Sequence, residues 1–231
     1  QRNEIAVVDS GVEDYRTLVE AAEESGMEVI LLSGSGNGVA ELAAALEGRT
    51  DLTAIHVLSH GDTGQVMLGG TTLSNETLED HAAALETVGQ ALDSEGDLLL
   101  YGCRVGQGSA GRDFVTRLAE VTGADVATSD DITGGASVNG DWILEITTDD
   151  EIVSPVIVDG YHNTLATTTQ LDFSSIFNAD VVRGTDNQDG AFDSWASLIT
   201  EAVAKDNGNT AEDGLPDNGV FASNSTHPYF D

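Results

Sequence analysis

Two short stretches bring together residue types that carry out acyl transfer. Ser59-His60-Gly61 and Gly102-Cys103 each close an apolar run, and Cys103 is the only cysteine in the 231 residues. A cysteine nucleophile needs a base beside it, or a positive field that favours the thiolate, and His60 can supply either. Cys103 stands ahead of a predicted helix whose N-terminal amides would lower a thiol pKa, and Arg104 adds a positive charge. Gly61 has no side chain, so its N–H can approach a developing oxyanion, with the Cys103 N–H as second donor. A single cysteine forms no intramolecular disulfide. Its bland role is that of a small buried hydrophobe.

For the pair to work, the fold must bring two remote residues to one place. Residues 4–8, 27–32, 53–59, 97–102 and 124–128 read as strands, near-continuous apolar runs of the kind buried on both sheet faces. Between them, residues 12–25, 39–46, 75–92 and 111–122 carry apolar positions at helical spacing. Strand and helix alternate, which predicts an α/β fold: a mostly parallel sheet with helices on both faces. In such a sheet ligands bind at the carboxyl ends of the strands. If 53–59 and 97–102 are neighbours, about 4.8 Å apart, His60 and Cys103 emerge at one edge. Glycines at 61, 64, 69 and 70 punctuate a hairpin with arms 66–68 and 71–73, and residues 136–146 and 152–158 read as a second hairpin-like pair. Residues 1–160 are therefore expected to form the main domain and 161–169 a polar linker. The Asp-, Asn- and Gly-rich stretch 170–231 reads as the start of a β-rich second module or an irregular acidic extension.

Forty-one acidic residues against eight basic ones give a formal charge of −33. That sign repels phosphate backbones, so a nucleic-acid partner is excluded. It suits a solvated shell in salty water or contact with divalent cations. No apolar run is long enough to span a bilayer, and no signal-peptide pattern opens the chain. The chain begins with Gln1 rather than methionine and is expected to be a cut piece of something longer. Asp186, Asn187, Asp189, Asp193, Asp213, Asp217 and Asn218 are hard oxygen donors in Gly-containing loops, so Ca²⁺ is a possible ligand of the tail, with no complete twelve-residue calcium loop.

The order "apolar strand, S-H-G" then "apolar strand, G-C" resembles the caspase-like cysteine peptidases, among them caspases, gingipains, clostripain and separase. More closely, residues 4–158 resemble an uncharacterised domain near the start of very long bacterial surface proteins, adhesins or RTX-type calcium-binding proteins. The matching stretches are EIAVVDSGVEDYRTL, IHVLSHGDTGQVMLG, DLLLYGCRVGQGSAGRDFV, GADVATSDDITG and GDWILE. The resemblance implies a secreted or cell-surface cysteine endopeptidase, with His60 as base, Cys103 as nucleophile and Gly61 in the oxyanion hole. It requires no cofactor, and its substrate would be its own parent chain or neighbouring proteins. Such peptidases read one residue before the cut in a pocket beside the Cys strand. Asp62, Ser129, Asp130 and Asp131 would line that pocket and suit a basic residue, which makes Arg183, or the linker at His162-Asn163, a candidate cut site.

Two rival readings come from other classes. One is a catalytically inactive structural or adhesion module that keeps the fold; a sulfur sealed beneath packed apolar side chains would favour it. The other is a nucleotide site at Gly106-Gln107-Gly108-Ser109-Ala110-Gly111, a formal G-x-G-x-x-G. Its first glycine comes late after the strand, so the glycines are better read as close packing between helix and Cys loop. His56 and His60 on one strand lie about 13 Å apart, too far for joint metal ligation. His56 is then an interior residue, and Trp142 part of the core.

Overall fold

A computed structural model of the chain describes residues 3–149 and 152–167. These fall within one compact unit, Gln1–Leu171. Strands β1 (Glu4–Asp9), β2 (Glu28–Leu32), β3 (Leu52–Leu58), β7 (Leu92–Tyr101), β8 (Asp125–Thr128) and β9 (Ile146–Thr147) form a six-stranded sheet in the order β2-β1-β3-β7-β8-β9. All pairings are parallel except β8 with β9. Helices α1 (Tyr15–Glu24), α2 (Gly38–Leu46), α3 (Ala82–Ala91) and α4 (Gly108–Thr122) connect the strands.

The two-residue period of a strand divides the core into two layers. Along β1, Ile5 and Val7 join one buried cluster with Leu42 of α2, Leu85 of α3 and Phe114 of α4. Ala6 and Val8 join the other, with Leu18 and Ala22 of α1 and with Trp142, Val156, Tyr161 and Leu165. Helices thus lie on both faces, as the α/β pattern predicts, but only α1 serves the second face. Trp142, Leu144 and the stretch 152–165 cover the rest of it.

Several boundaries differ from the sequence expectation for local reasons. The predicted helix 75–92 begins as a 3-10 turn, Leu78–His81, and becomes α-helical only at Ala82. Thr77 Oγ1 accepts from Ser74 N–H and donates to Thr72 O, which holds the entry in a turn. Residues 136–146 and 152–158 do not pair with each other. Ile146–Thr147 adds antiparallel to β8 instead, while 152–158 crosses the second face without strand structure. Its amides are satisfied from β7: Val153 N–H donates to Asp97 Oδ2 (2.8 Å) and Val156 N–H to Tyr101 OH (2.7 Å). The expected linker is also corrected over residues 161–167. Tyr161 is 2% exposed and Leu165 0%, so this stretch is built into the domain. Residues 168–231, with the tail's calcium-ligand candidates and Arg183, lie outside the described residues.

A small antiparallel sheet, β4 (Gly61–Asp62), β5 (Gln65–Leu68) and β6 (Thr71–Ser74), sits at the carboxyl edge. The buried Asp9 carboxylate ties it down, accepting from Gly69 N–H (2.7 Å), Gly11 N–H (2.8 Å) and Ser59 Oγ (3.2 Å). Ser59 Oγ also contacts Met67 O.

Under the sheet an aromatic row runs from His56 through Tyr101 and Trp142 to Tyr161, with neighbouring ring centroids 5.8–6.2 Å apart. His56 is fully interior, as expected, with Nδ1 3.0 Å from Tyr101 OH and Nε2 3.6 Å from Glu4 Oε2. Tyr101 is therefore a polar rivet in an apolar layer. Tyr101→Phe leaves the buried Val156 N–H without its acceptor and should cost about 1–3 kcal/mol in urea unfolding, with far-ultraviolet circular dichroism unchanged.

Candidate active site

β3 and β7 are paired with Leu58 opposite Tyr101, and Ser59 N–H donates to Tyr101 O at 3.4 Å. Continuing that register brings His60 level with Cys103. The following turns touch backbone to backbone. A Cβ on Gly61 would stand 2.8 Å from Gly102 Cα, and one on Gly102 would stand 2.9 Å from Gly61 Cα. Only two glycines allow this approach.

The β4–β5 turn holds His60 in place, its carbonyl accepting from Met67 N–H at 2.8 Å. Its ring is part-buried, and Nδ1 is shut off from solvent without a hydrogen bond. Cys103 is fully buried, and its thiol lies 3.4 Å from the acceptor Thr133 O. Burial is the largest influence on the thiol and pushes its pKa up to about 11. The main chain of Thr133 and Leu165 and the charge of Arg104 oppose the rise, and Asp131 adds to it. This corrects the expectation of a thiolate primed by a helix N-terminus. α4 starts only at Gly108, after a loop in which Arg104 takes a left-handed φ of 61°. A pKa raised in this way favours the neutral S–H.

The two amides expected to stabilise an oxyanion do converge on one oxygen, and it belongs to the chain itself. Gly61 N–H donates to Leu165 O at 2.9 Å and Cys103 N–H to the same oxygen at 3.2 Å. The chain around it is extended and held on both sides. Leu165 N–H donates to Thr133 O (2.9 Å), and Gly135 N–H donates to Asn163 O (3.0 Å). Thr164 bridges antiparallel to Gly134, and Ala166 bridges parallel to Gly61. A Cβ on Gly134, whose φ is 147°, would overlap Asn163 O, and one on Gly135 would overlap Tyr161 O. Thr133, Gly134, Gly135 and Leu165 escaped sequence reasoning. The adjacent glycines after Thr133 were the one visible sign of a close chain passage.

The residues expected to line a specificity pocket lie in turns near the Cys loop. Ser129 is fully buried; its Oγ donates to Asp131 Oδ1 (3.2 Å) and its carbonyl accepts from Gly106 N–H (2.9 Å). Asp131 O accepts from Arg104 N–H (2.7 Å). Gln107 links the two acidic turns, donating through Nε2 to Asp130 O (3.1 Å) while Oε1 accepts from Thr63 Oγ1 (3.3 Å), next to Asp62. Ser129 and Asp131 thus shape the turn beside the Cys loop, and the Asp62 carboxylate caps its own turn through Thr63 N–H (2.6 Å).

Asp131, Asp141 and Glu145 have carboxylate oxygens within 4.8 Å of one another and are the described residues that could hold a cation. Burial and then the Asp141 charge raise the Asp131 pKa. Two glycines of the G-x-G-x-x-G stretch, Gly106 and Gly111, serve packing: a Cβ on Gly111 would overlap the Gly106 backbone, where α4 meets the Cys loop, whereas Gly108 has open space around it and a φ of 66°. Among the described residues no helix is long and apolar enough to cross a membrane.

The site lies on the carboxyl edge of an α/β sheet. A family model described as a domain of unknown function, DUF4347, matches residues 5–166, and the chain is a member of that family. No curated protein matches the chain.

Because the thiolate is the reacting species, iodoacetamide should leave Cys103 of the folded, intact chain unlabelled at pH 7 and label it fully in urea. The rate of any labelling of the folded chain should rise about tenfold per pH unit below the raised thiol pKa, read by intact mass.

Proposed function

We propose that the domain is a caspase-like cysteine endopeptidase of a secreted or surface-exposed bacterial protein, cleaving its own large parent chain or neighbouring proteins. The observation that carries this reading is the pair of N–H groups, on Gly61 and Cys103, aimed at one carbonyl oxygen beside the thiol. Donors fixed in advance where negative charge develops are usually the largest single contribution to catalysis at such a site. His60, with an unpaired and enclosed Nδ1, is the group available to take the thiol proton. The dyad chemistry itself calls on no cofactor; Ca²⁺ at the carboxylates of Asp131, Asp141 and Glu145 would act on the fold of the neighbouring turn. The acidic Asp62 and Asp130 remain the groups that would favour a basic substrate residue in trans.

The test compares wild type, Cys103→Ala and His60→Ala on the parent chain and on a peptide library. Cys103→Ala should abolish cleavage, and His60→Ala should slow it by about 10²–10⁴-fold. Equal cleavage by wild type and Cys103→Ala rejects the nucleophile.

A second reading, a catalytically inactive module of a giant surface protein, is favoured by the complete burial of Cys103 and its raised thiol pKa. It expects every variant to remain intact, and Cys103→Ala to alter stability alone.

A further inference from the structure

Resting on the peptidase reading, we infer that the site is built around one particular bond of its own chain, Leu165–Ala166, which it cuts intramolecularly. Three observations meet at this bond. The Leu165 carbonyl oxygen is the acceptor shared by the Gly61 and Cys103 amides. The residues leading to it run extended, paired on one side with Thr133–Gly135, which is how a groove presents a substrate strand by main-chain hydrogen bonds. The Leu165 side chain is fully buried in the same apolar cluster as Cys103 and Trp142, so the residue before the cut already fills an apolar pocket.

This choice revises where the chain is cut. The carbonyl of Asn163, in the earlier candidate His162-Asn163, accepts from Gly135 N–H and not from the amide pair. An apolar leucine makes no use of the acidic wall at Asp62, Asp130 and Asp131. The occupant also accounts for the sealed thiol: Leu165 is part of the cluster that encloses it.

The chemistry balances with water as the only co-reactant. The Cys103 thiol gives its proton to His60, and the sulfur bonds to the Leu165 carbonyl carbon. The carbonyl electron pair moves onto oxygen, held by the two N–H groups. Collapse breaks the bond to Ala166 N, which takes the proton from His60 and leaves as a new amino terminus. Water then attacks the Leu165–Cys103 thioester with His60 accepting its proton. The carbon–sulfur bond breaks, the thiol is restored, and Leu165 ends as a carboxylate.

The experiment follows the full chain by intact mass and N-terminal sequencing over a range of protein concentrations. Wild type should give fragments 1–165 and 166–231 in a first-order process independent of concentration. Cys103→Ser, close in size, should stay whole. Ala166→Pro suits an extended residue before it and should block the cut while circular dichroism reports the native fold. A Cys103-dependent cut at another bond overturns this inference and leaves the peptidase reading standing. So does an intact chain that cleaves library peptides only when Cys103 is present. Absence of any Cys103-dependent cleavage, in chain or library, overturns both. A cut at Leu165–Ala166 that persists in Cys103→Ser also overturns both.

Discussion

Everything at the carboxyl edge rests on the contact between two glycines. Where β3 and β7 end, Gly61 and Gly102 meet without side chains, and a single methyl group on either would force the turns apart. That contact keeps the strands' register going past their ends and sets the His60 turn against the Cys103 turn. It also points two amides in one direction. A parallel sheet supplies the edge, but only bare backbone at both turns brings the donors within reach of one oxygen.

The second face of the sheet finishes the arrangement. With only α1 on that side, the chain beyond β8 must bury the remaining apolar surface, and the aromatic row of Tyr101, Trp142 and Tyr161 fixes its path. Tyr161 is anchored at its far end by donating to Glu13 O at 2.9 Å. From there the chain enters the cleft between Gly61 and Thr133, and the same packing that stabilises the fold delivers Leu165 to the amides. The cost is borne by the thiol, which loses solvent and therefore its readiness to ionise.

Much of this was legible from sequence. The alternation of apolar strands and amphipathic helices was enough for the sheet, because a doubly covered parallel sheet leaves a plain hydrophobic pattern. His60 and Cys103 stood out because a strand ending in His-Gly and another in Gly-Cys have little structural need for those types. The region after β8 was misread. Residues 152–158 carry neither a helical nor a strand period, since they lie on the sheet as coil, and Val153 and Val156 N–H donate to Asp97 and Tyr101 rather than to a partner strand. Leu165 was hidden for a related reason. One leucine in a Thr- and Asn-containing stretch looks like linker, and only the fold shows its side chain buried and its carbonyl accepting from two amides.

The extended strand at Asn163–Ala166 fills the cleft from within, leaving an outside peptide nothing to dock on until that strand withdraws. Were the inferred cut to take place, such a device would behave as a fuse rather than as a tool, each copy carrying its own single charge and changing irreversibly on firing it. Its output would then be counted in molecules converted, not in turnovers.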